Sequence, residues 1–248
     1  MKEYRFERAE YAVYSAVVMI AGVFIGLVMV APFLPPWDQA GASAQTIAEF
    51  YQEDNLGKRI GLCLMMFGIP FAVPFFTLIG EIIRRPMNMP ILGMVEIGTG
   101  WFGILFTFMM TVCWGTAAFR PDRSAEITQA LHDLGWLFAT WVGSATLMQA
   151  ICIACAVFLD KSKNPVFPRW FGYLVVWAFI LGIPACVINV FNTGPFAYDG
   201  LLGFWIPYLA LGAWAGFALV VCYRAVRQLQ SDEPGYDWVK GPMVSGLT

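Results

Sequence analysis

Residues 60–83 of the chain read IGLCLMMFGIPFAVPFFTLIGEII and contain a single charged side chain, Glu81. A helix that crosses about 30 Å of hydrocarbon needs about 20 mostly apolar residues, and this segment is long enough. Segments of this kind are found at residues 11–34, 60–83, 91–118, 132–159, 170–191 and 201–223. The sequence therefore predicts an all-α membrane protein, built as a bundle of six transmembrane helices.

The composition of the chain also favours a membrane protein. Of its 248 residues, 59% are hydrophobic and 13% are charged, and the mean hydropathy is +0.65. Soluble domains carry about 25% charged residues, so this chain has too few charges to cover a water-exposed surface. The net charge of -2 provides no basic surface for nucleic acid. We therefore expect the lipid bilayer as a partner and no nucleic acid.

Lysine and arginine residues are distributed unevenly between the predicted loops. If the six segments alternate in direction, eleven of the 15 basic residues lie on the same side as the N-terminus. Cytoplasmic loops of membrane proteins are enriched in basic residues, so both termini are predicted to be cytoplasmic. The spans form one predicted domain, residues 1–230. The remaining residues, 231–248, combine proline, glycine and charge without periodicity, and are predicted to be disordered.

The first loop on the opposite, outer side is long enough to contain structure of its own. In residues 35–58, Thr46 and Glu49 have the spacing of a capping box. Ile47 and Tyr51 would then lie on one face of the helix that follows. The pattern predicts a short amphipathic helix at the membrane interface.

Four segments resemble an uncharacterised family of six-span bacterial integral membrane proteins. They are NLGKRIGLCLMMFG, AAFRPDRSAEITQALHDLGW, NPVFPRWFGY and FNTGPFAYDGLLGFWIP. The resemblance covers most of residues 10–228. It implies six spans and a multi-pass location in the bacterial inner (cytoplasmic) membrane. It implies no activity, cofactor or catalytic residue, and none is predicted.

Polar residues inside the spans are candidates for a ligand site. An ionisable residue at the centre of a membrane helix costs about 2.5–3.5 kcal/mol on insertion scales. Glu96 lies within the third span, which contains no lysine or arginine. It is either a proton-coupled or ligand-binding carboxylate, or a headgroup-depth residue paired with Arg84 or Arg85. The predicted ligand-binding residues are Glu96, Gln149, Asn189 and Asn192.

Charged residues of the outer loops form a second candidate site. The predicted outer polar cluster consists of Arg59, Arg120, Asp122, Arg123, His132, Asp133 and Asp199. Charges of both signs can position a phosphate or a carboxylate. His132 beside Asp133 is either a proton-active group at the outer surface or the polar start of a helix. A single histidine cannot supply the paired ligands of haem or of non-haem iron, so no metal site is predicted.

Cys152 and Cys155 form a CxxC motif in the fourth predicted span. A CxxC in a fourth membrane helix resembles the arrangement in the vitamin K epoxide reductase family. Such chemistry needs a reactive thiolate and loop cysteines that pass electrons on. The predicted outer loops contain no cysteine, and all six cysteines fall within spans. We therefore expect them to pack as small apolar residues.

Spans two and five share a short motif. Residues 68–73 read GIPFAV and residues 182–187 read GIPACV, each near the middle of its span. Proline removes a backbone donor, so both helices should be kinked there. Interrupted helices in equivalent positions of two inverted halves mark a substrate site in many transporters. Chance similarity in a chain of biased composition is the alternative explanation.

Three classes of function follow from these features. The first is binding or transport of a small apolar or amphipathic molecule. The second is an accessory or scaffold subunit, with a membrane-protein partner or a second copy of the chain. The third is an intramembrane enzyme that uses the outer polar cluster on a lipid-like substrate. Because no catalytic signature is present, we rank them in this order.

Overall fold

A computed structural model describes residues 8–141 and 143–231, and every regular element in this part of the chain is helical. The α-helices are α1 (Glu10–Phe24), α2 (Ala44–Gln52), α3 (Asn55–Gly68), α4 (Ala72–Arg84), α5 (Pro90–Phe119), α6 (Ala125–Thr140), α7 (Gly143–Leu159), α8 (Arg169–Gly182) and α9 (Ile206–Ser231). The predicted all-α class is confirmed for these residues. The predicted disorder of the tail concerns residues that lie, apart from Ser231, outside the described part.

Five helical segments of the described chain are long and apolar enough to cross a membrane. They are Glu10–Val30, Asn55–Arg84, Pro90–Phe119, Arg169–Val190 and Leu201–Gln230. Two of them contain π-helical turns, at Ile25–Val30 and Leu201–Trp205. The first span ends at Val30, before the predicted residue 34. There the chain turns back, and the backbone N–H of Phe33 donates a hydrogen bond to the carbonyl of Leu27 (3.0 Å).

The fourth predicted span, residues 132–159, is not one continuous helix. It is divided between α6 and α7, and its longest apolar helical part is Thr146–Leu159. The hydroxyl of Thr140 donates to the carbonyl of Trp136 (2.7 Å), a bond that commonly bends helices. Trp141 then leaves helical geometry, with φ -85° and ψ 29°.

Both GIP motifs begin a 3₁₀ segment. In the second span Ile69–Phe71 separates α3 from α4, and the α-helix resumes at Ala72. In the fifth predicted span, residues 170–191, Ile183–Val190 continues to the end of the span without resuming α-helical geometry. The missing backbone donor of proline explains why both breaks begin at this motif. The two spans therefore share the position of the break but not its length.

The spans pack in chain order around a common interior. α1 packs on α3 and α4, α4 on α5, α5 on α6 and α7, α7 on α8, and α8 on α9, which returns to α1. Two apolar cores fill this interior. One includes Phe33, Trp114 and Trp136, and lies at the end where α2 packs. The other includes Ile82, Phe171 and Val226, towards the opposite end. We call these ends the α2 end and the Arg84 end.

The first loop contains α2, whose apolar face is covered by protein. Ser43, rather than the expected Thr46, caps the helix, and its hydroxyl accepts from the backbone N–H of Thr46 (3.2 Å). Ile47 and Tyr51 are buried where α2 packs on α6. Asn55 donates to the carbonyls of Tyr51 and Ala118, and so joins the ends of α2 and α5. These contacts hold α2 firmly on the bundle.

Gly61 lies at the closest approach between α3 and the first span. A Cβ atom at this position would lie 2.5 Å from the Cβ of Ala31. We expect Gly61→Ala to lower the free energy of unfolding by about 1–3 kcal/mol, because overpacking forces backbone shifts. Unfolding in mixed micelles of increasing SDS content measures the effect. Gly103→Ala is the matched control, since a Cβ there meets nothing within 4 Å. Equal stabilities of the two variants would contradict this packing.

Candidate functional site

Glu96 is completely buried inside the bundle. Its side chain is 0% exposed, and its Oε1 accepts a hydrogen bond from Nε2 of Gln149 on α7 (3.0 Å). Its other oxygen, Oε2, has no hydrogen-bond partner among the described residues. Two of the predicted ligand-binding residues are therefore joined in one pair, which links the third and fourth predicted spans.

Glu96 is not paired with Arg84 or Arg85. Glu81, one turn before them on α4, accepts hydrogen bonds from both guanidinium groups at 2.7–2.9 Å. The thiols of Cys152 and Cys222 are the titratable groups near Glu96 on α7 and α9. The alternative in which Glu96 is a headgroup-depth residue paired with these arginines is therefore wrong.

A cavity of about 110 Å³ lies beside this pair, between α7, α8 and α9. Its wall is mostly apolar, and the cavity is partly open at the surface. Gln149 lines it on one side, and Tyr208 and Trp214 line it on another. The hydroxyl of Tyr208 donates to the carbonyl of Ala139 (2.9 Å). Gln149 is thus the residue that connects the cavity with Glu96.

The cavity lies where two interrupted spans meet. Ala139 and Thr140, at the end of α6, line it together with Gly182 and Ala185, at the break in the fifth span. The indole N–H of Trp141 donates to the carbonyl of Cys186 (2.8 Å), and so ties the two breaks together. A helix that leaves α geometry cannot pack regularly on its neighbour. This explains why the gap forms here.

Asn189 and Asn192 do not belong to this site. Both are exposed, and neither lines the cavity. They lie in the last residues of the fifth span and in the loop that follows. The prediction that grouped them with Glu96 relied on their polarity in or beside an apolar stretch, which does not show whether a side chain faces the interior or the surface.

The outer polar cluster is divided in the structure, and His132 lies in its buried part. Trp136 donates its indole N–H to Nε2 of His132 (3.2 Å) and to Oε1 of Gln39 (3.0 Å). Because an indole N–H can only donate, Nε2 of His132 is an acceptor. Nδ1 therefore carries the proton and faces the hydroxyl of Tyr51 (3.0 Å). His132 is a neutral, fully buried ring, and not a proton-active group at the surface.

Asp133 and Asp199 join the loops of the α2 end to the bundle. Tyr198 donates its hydroxyl to Asp133 (2.9 Å). Burial and the neighbouring Asp133 raise the pKa of Tyr198, so this hydroxyl stays a donor. Asp199 accepts hydrogen bonds from the backbone N–H groups of Gln39 (2.6 Å) and Ala40 (2.8 Å). Each carboxylate is thus occupied by a structural contact.

The other four predicted members of the cluster do not converge on these residues. Arg59 lies over the ring of Phe119, at 5.5 Å from the ring centroid. Arg123 donates to the carbonyl of Thr116. Arg120 and Asp122 are exposed, and no ion pair joins these side chains within residues 8–141 and 143–231. These residues were grouped because their loops lie on the same predicted side of the membrane, which does not bring their side chains into contact.

Four residues of the buried network were absent from the sequence-based candidates: Gln39, Tyr51, Trp136 and Tyr198. Gln39 and Tyr51 belong to the first loop predicted to be outer, and Tyr198 belongs to the last. A sequence signal existed only for Trp136, four residues after His132 and so on the same helix face. Nε2 of Gln39 is buried without a hydrogen-bond partner in the described chain.

The cysteines form no group with other metal-binding side chains. No cluster of three His, Cys, Asp or Glu side chains able to hold a metal occurs in the described ranges. Cys152 is buried and Cys155 half-buried, and both are free thiols. Cys152 packs towards Glu96, and no cation of the described residues lies beside it. The surroundings of the CxxC motif therefore provide no activation of a nucleophilic sulfur.

Asp199→Ala should loosen the loops of the α2 end, because it removes two hydrogen bonds to a charged acceptor. We expect a loss of about 1.5–3 kcal/mol for such a change. Unfolding in SDS-containing micelles and the rate of proteolysis within residues 35–43 measure it. Asp122→Ala is the control, since that exposed carboxylate has no hydrogen bond in the described structure. Equal proteolysis of both variants would show that Asp199 does not hold the loop.

Comparisons with known proteins identify no relative of this chain. A scan against protein-family models and searches of curated proteins and of solved structures gave no match to the chain. The resemblance to six-span bacterial membrane proteins therefore rests on the four sequence segments alone. The Glu96–Gln149 pair and the adjoining cavity are the candidate functional site.

Proposed function

We propose that this protein binds a small amphipathic molecule inside the membrane, in the cavity between α7, α8 and α9. The observation that carries the proposal is an apolar cavity with a single amide, Gln149, that also bonds a buried carboxylate. Small-molecule sites typically combine apolar walls with a few placed polar groups. The apolar part of the ligand occupies the cavity, and its polar group meets Gln149.

The size of the cavity limits the part of the ligand that enters. An apolar cavity of about 150 Å³ holds one benzene molecule. The cavity here, at about 110 Å³, accommodates a smaller group such as a short alkyl segment. Because it is partly open, a longer molecule can extend from it. This favours a ligand with a slender apolar end over a fused-ring compound such as a sterol.

The proposed setting is a six-span topology with both termini in the cytoplasm. α6 and α7 together supply the fourth crossing, in addition to the five continuous helical segments. The excess of basic residues on one side and the resemblance to six-span bacterial proteins support this arrangement in an inner membrane. With this orientation the α2 end faces outwards, and the Arg84 end faces the cytoplasm.

Transport is an extension of the binding proposal. The break in the fifth span provides Gly182 and Ala185 as part of the cavity wall. Interrupted helices line substrate sites in transporters, because a break can bend when the site opens. The matching break at Ile69–Phe71 lies in the other half of the chain. Both features support a site that opens by movement at the breaks.

An accessory role is the second candidate, and the surface of α9 favours it. Cβ atoms placed on Gly212 and Gly216 would meet nothing within 4 Å, so no described helix packs on this GxxxG face. Such faces allow the close approach of another helix. The proposed intramembrane enzyme is less well supported, because Arg120 and Arg123 do not meet His132 around a pocket.

The proposed topology predicts that reporters at the two ends respond alike. Fusion of green fluorescent protein, which folds in the cytoplasm, should give fluorescence at either terminus. Alkaline phosphatase, active only outside, should be inactive at both ends and active when inserted after residue 122. Reporters that place the termini on opposite sides would contradict six crossings and would indicate that α6 and α7 do not form one span.

Labelling with a photoreactive short-chain alcohol, azibutanol, tests binding in the cavity. In the wild-type protein in nanodiscs we expect saturable labelling of α7 and α8, mapped by mass spectrometry and suppressed by excess butanol. Ala178→Phe fills the cavity and should reduce this labelling to background, because Ala178 lines the wall.

Val176→Phe is the matched control for this experiment. Val176 lies on the same helix with its side chain exposed at 36%, so the added ring occupies no interior space. Its labelling should equal that of the wild-type protein. Labelling that is unsaturable, or that is equal in both variants, would show that the cavity does not bind this class of molecule.

A further inference from the structure

The buried carboxyl group of Glu96 has too few partners for an ionised group. One neutral amide donates to Oε1, and no hydrogen bond reaches Oε2 within the described chain. Ionised carboxylates in protein interiors are paired with cations or accept several hydrogen bonds. A protonated carboxyl group needs fewer partners and carries no charge into the low-dielectric interior. The contacts of Glu96 match the neutral acid.

We propose that Glu96 is a proton-binding site, and that Gln149 couples its proton to occupancy of the cavity. The bound species is a proton and not a metal cation, because a cation would need an ionised carboxylate and further oxygen ligands. The coupling, but not the proton site itself, rests on the ligand-binding function proposed above.

Among residues 8–141 and 143–231, no neighbouring charge offsets an ionised Glu96. From α7 and α9 the facing titratable groups are the thiols of Cys152 and Cys222. On α4, Glu81 binds the two arginines of that helix. The charged side chains of the remaining neighbouring helices are exposed or make contacts with groups other than Glu96. On α3 these are Lys58 and Arg59, on α6 Glu126 and Asp133, and on α9 the exposed Arg224 and Arg227.

Gln149 couples the two sites because one amide serves both. When Glu96 loses its proton, the carboxylate depends on Nε2 of Gln149, its single hydrogen-bond donor among the described residues. This nitrogen carries two N–H groups, and a ligand that draws the amide into the cavity takes both of them away from the carboxylate. Ligand binding therefore favours the protonated acid, and by thermodynamic reciprocity the proton favours ligand binding. Affinity for the ligand should fall as the pH rises and Glu96 ionises.

Infrared difference spectroscopy of the full-length protein in nanodiscs tests the proton site directly. At neutral pH the wild-type spectrum should contain the C=O stretch of a protonated carboxylic acid, which Glu96→Gln removes. Glu81→Gln is the matched control. It should retain this band and lose carboxylate bands instead, because Glu81 is paired with two arginines. Loss of a carboxylate band in Glu96→Gln would overturn the proposal.

A second variant keeps the test independent of how well Glu96→Gln folds. Gln149→Met has a similar volume and no side-chain N–H group, so it removes the single donor that Glu96 has in the described part of the chain. The protonated-acid band, followed with ¹³C-labelled glutamate, should persist to higher pH in this variant than in the wild-type protein. A band that disappears at the same or lower pH would overturn the role of Gln149.

Photolabelling against pH separates the coupling from the proposed function. Saturable azibutanol labelling should weaken as the pH rises in the wild-type protein and be independent of pH in Glu96→Gln, whose amide does not ionise. Saturable labelling with the same pH dependence in both would overturn the coupling and leave ligand binding intact. No saturable labelling at any pH would overturn the proposed function, while the infrared result would still decide the proton site.

Discussion

Inside a bilayer every polar group must find its partner within the protein, because hydrocarbon offers none. This constraint explains most of the internal contacts of the chain. Where the spans leave α-helical geometry, side chains bind the released backbone groups. Trp141 binds the carbonyl of Cys186, and Thr140 binds that of Trp136. Where loops enter the bundle, Asp199 accepts from two backbone N–H groups. Glu96 differs from these residues, because one of its oxygens accepts no hydrogen bond from the residues that the structure describes.

The two polar interiors of the protein are built differently. At the α2 end, aromatic side chains with polar groups bind one another by hydrogen bonds and ring contacts. Trp136 stacks on Tyr198 with ring centroids 5.4 Å apart. Both ring nitrogens of His132 are engaged there, so this region is suited to hold the loops closed over the bundle. The Glu96 site has one amide, one carboxyl group and an adjoining space. Fully engaged groups stabilise a structure, whereas a group with unused capacity can respond to a ligand or a proton.

The sequence predicted the apolar spans well, because their length and hydropathy are properties of each segment alone. Glu96 could also be recognised, since an ionisable residue inside an apolar span is rare. Its pairing with Gln149 could not be predicted, because it depends on how two distant helices rotate and pack. The prediction of the outer polar cluster was wrong for a related reason. Arg120 and Arg123 precede His132 by about three helical turns of chain, but the turn before α6 directs them away from it.

The cavity exists because the fourth predicted span is broken between α6 and α7. Hydropathy did not reveal this break. Two regular helices can pack side by side with few gaps. Here α6 ends at Thr140 and α8 ends at Gly182, and the cavity lies between these two ends. The hydrogen bond from Trp141 to the carbonyl of Cys186 joins the two breaks. Gln149 lines the cavity beside them. The position of the cavity is therefore a consequence of where α6 and α8 end. Glu96 lies next to the cavity because α5 packs against α7, the helix that follows the break.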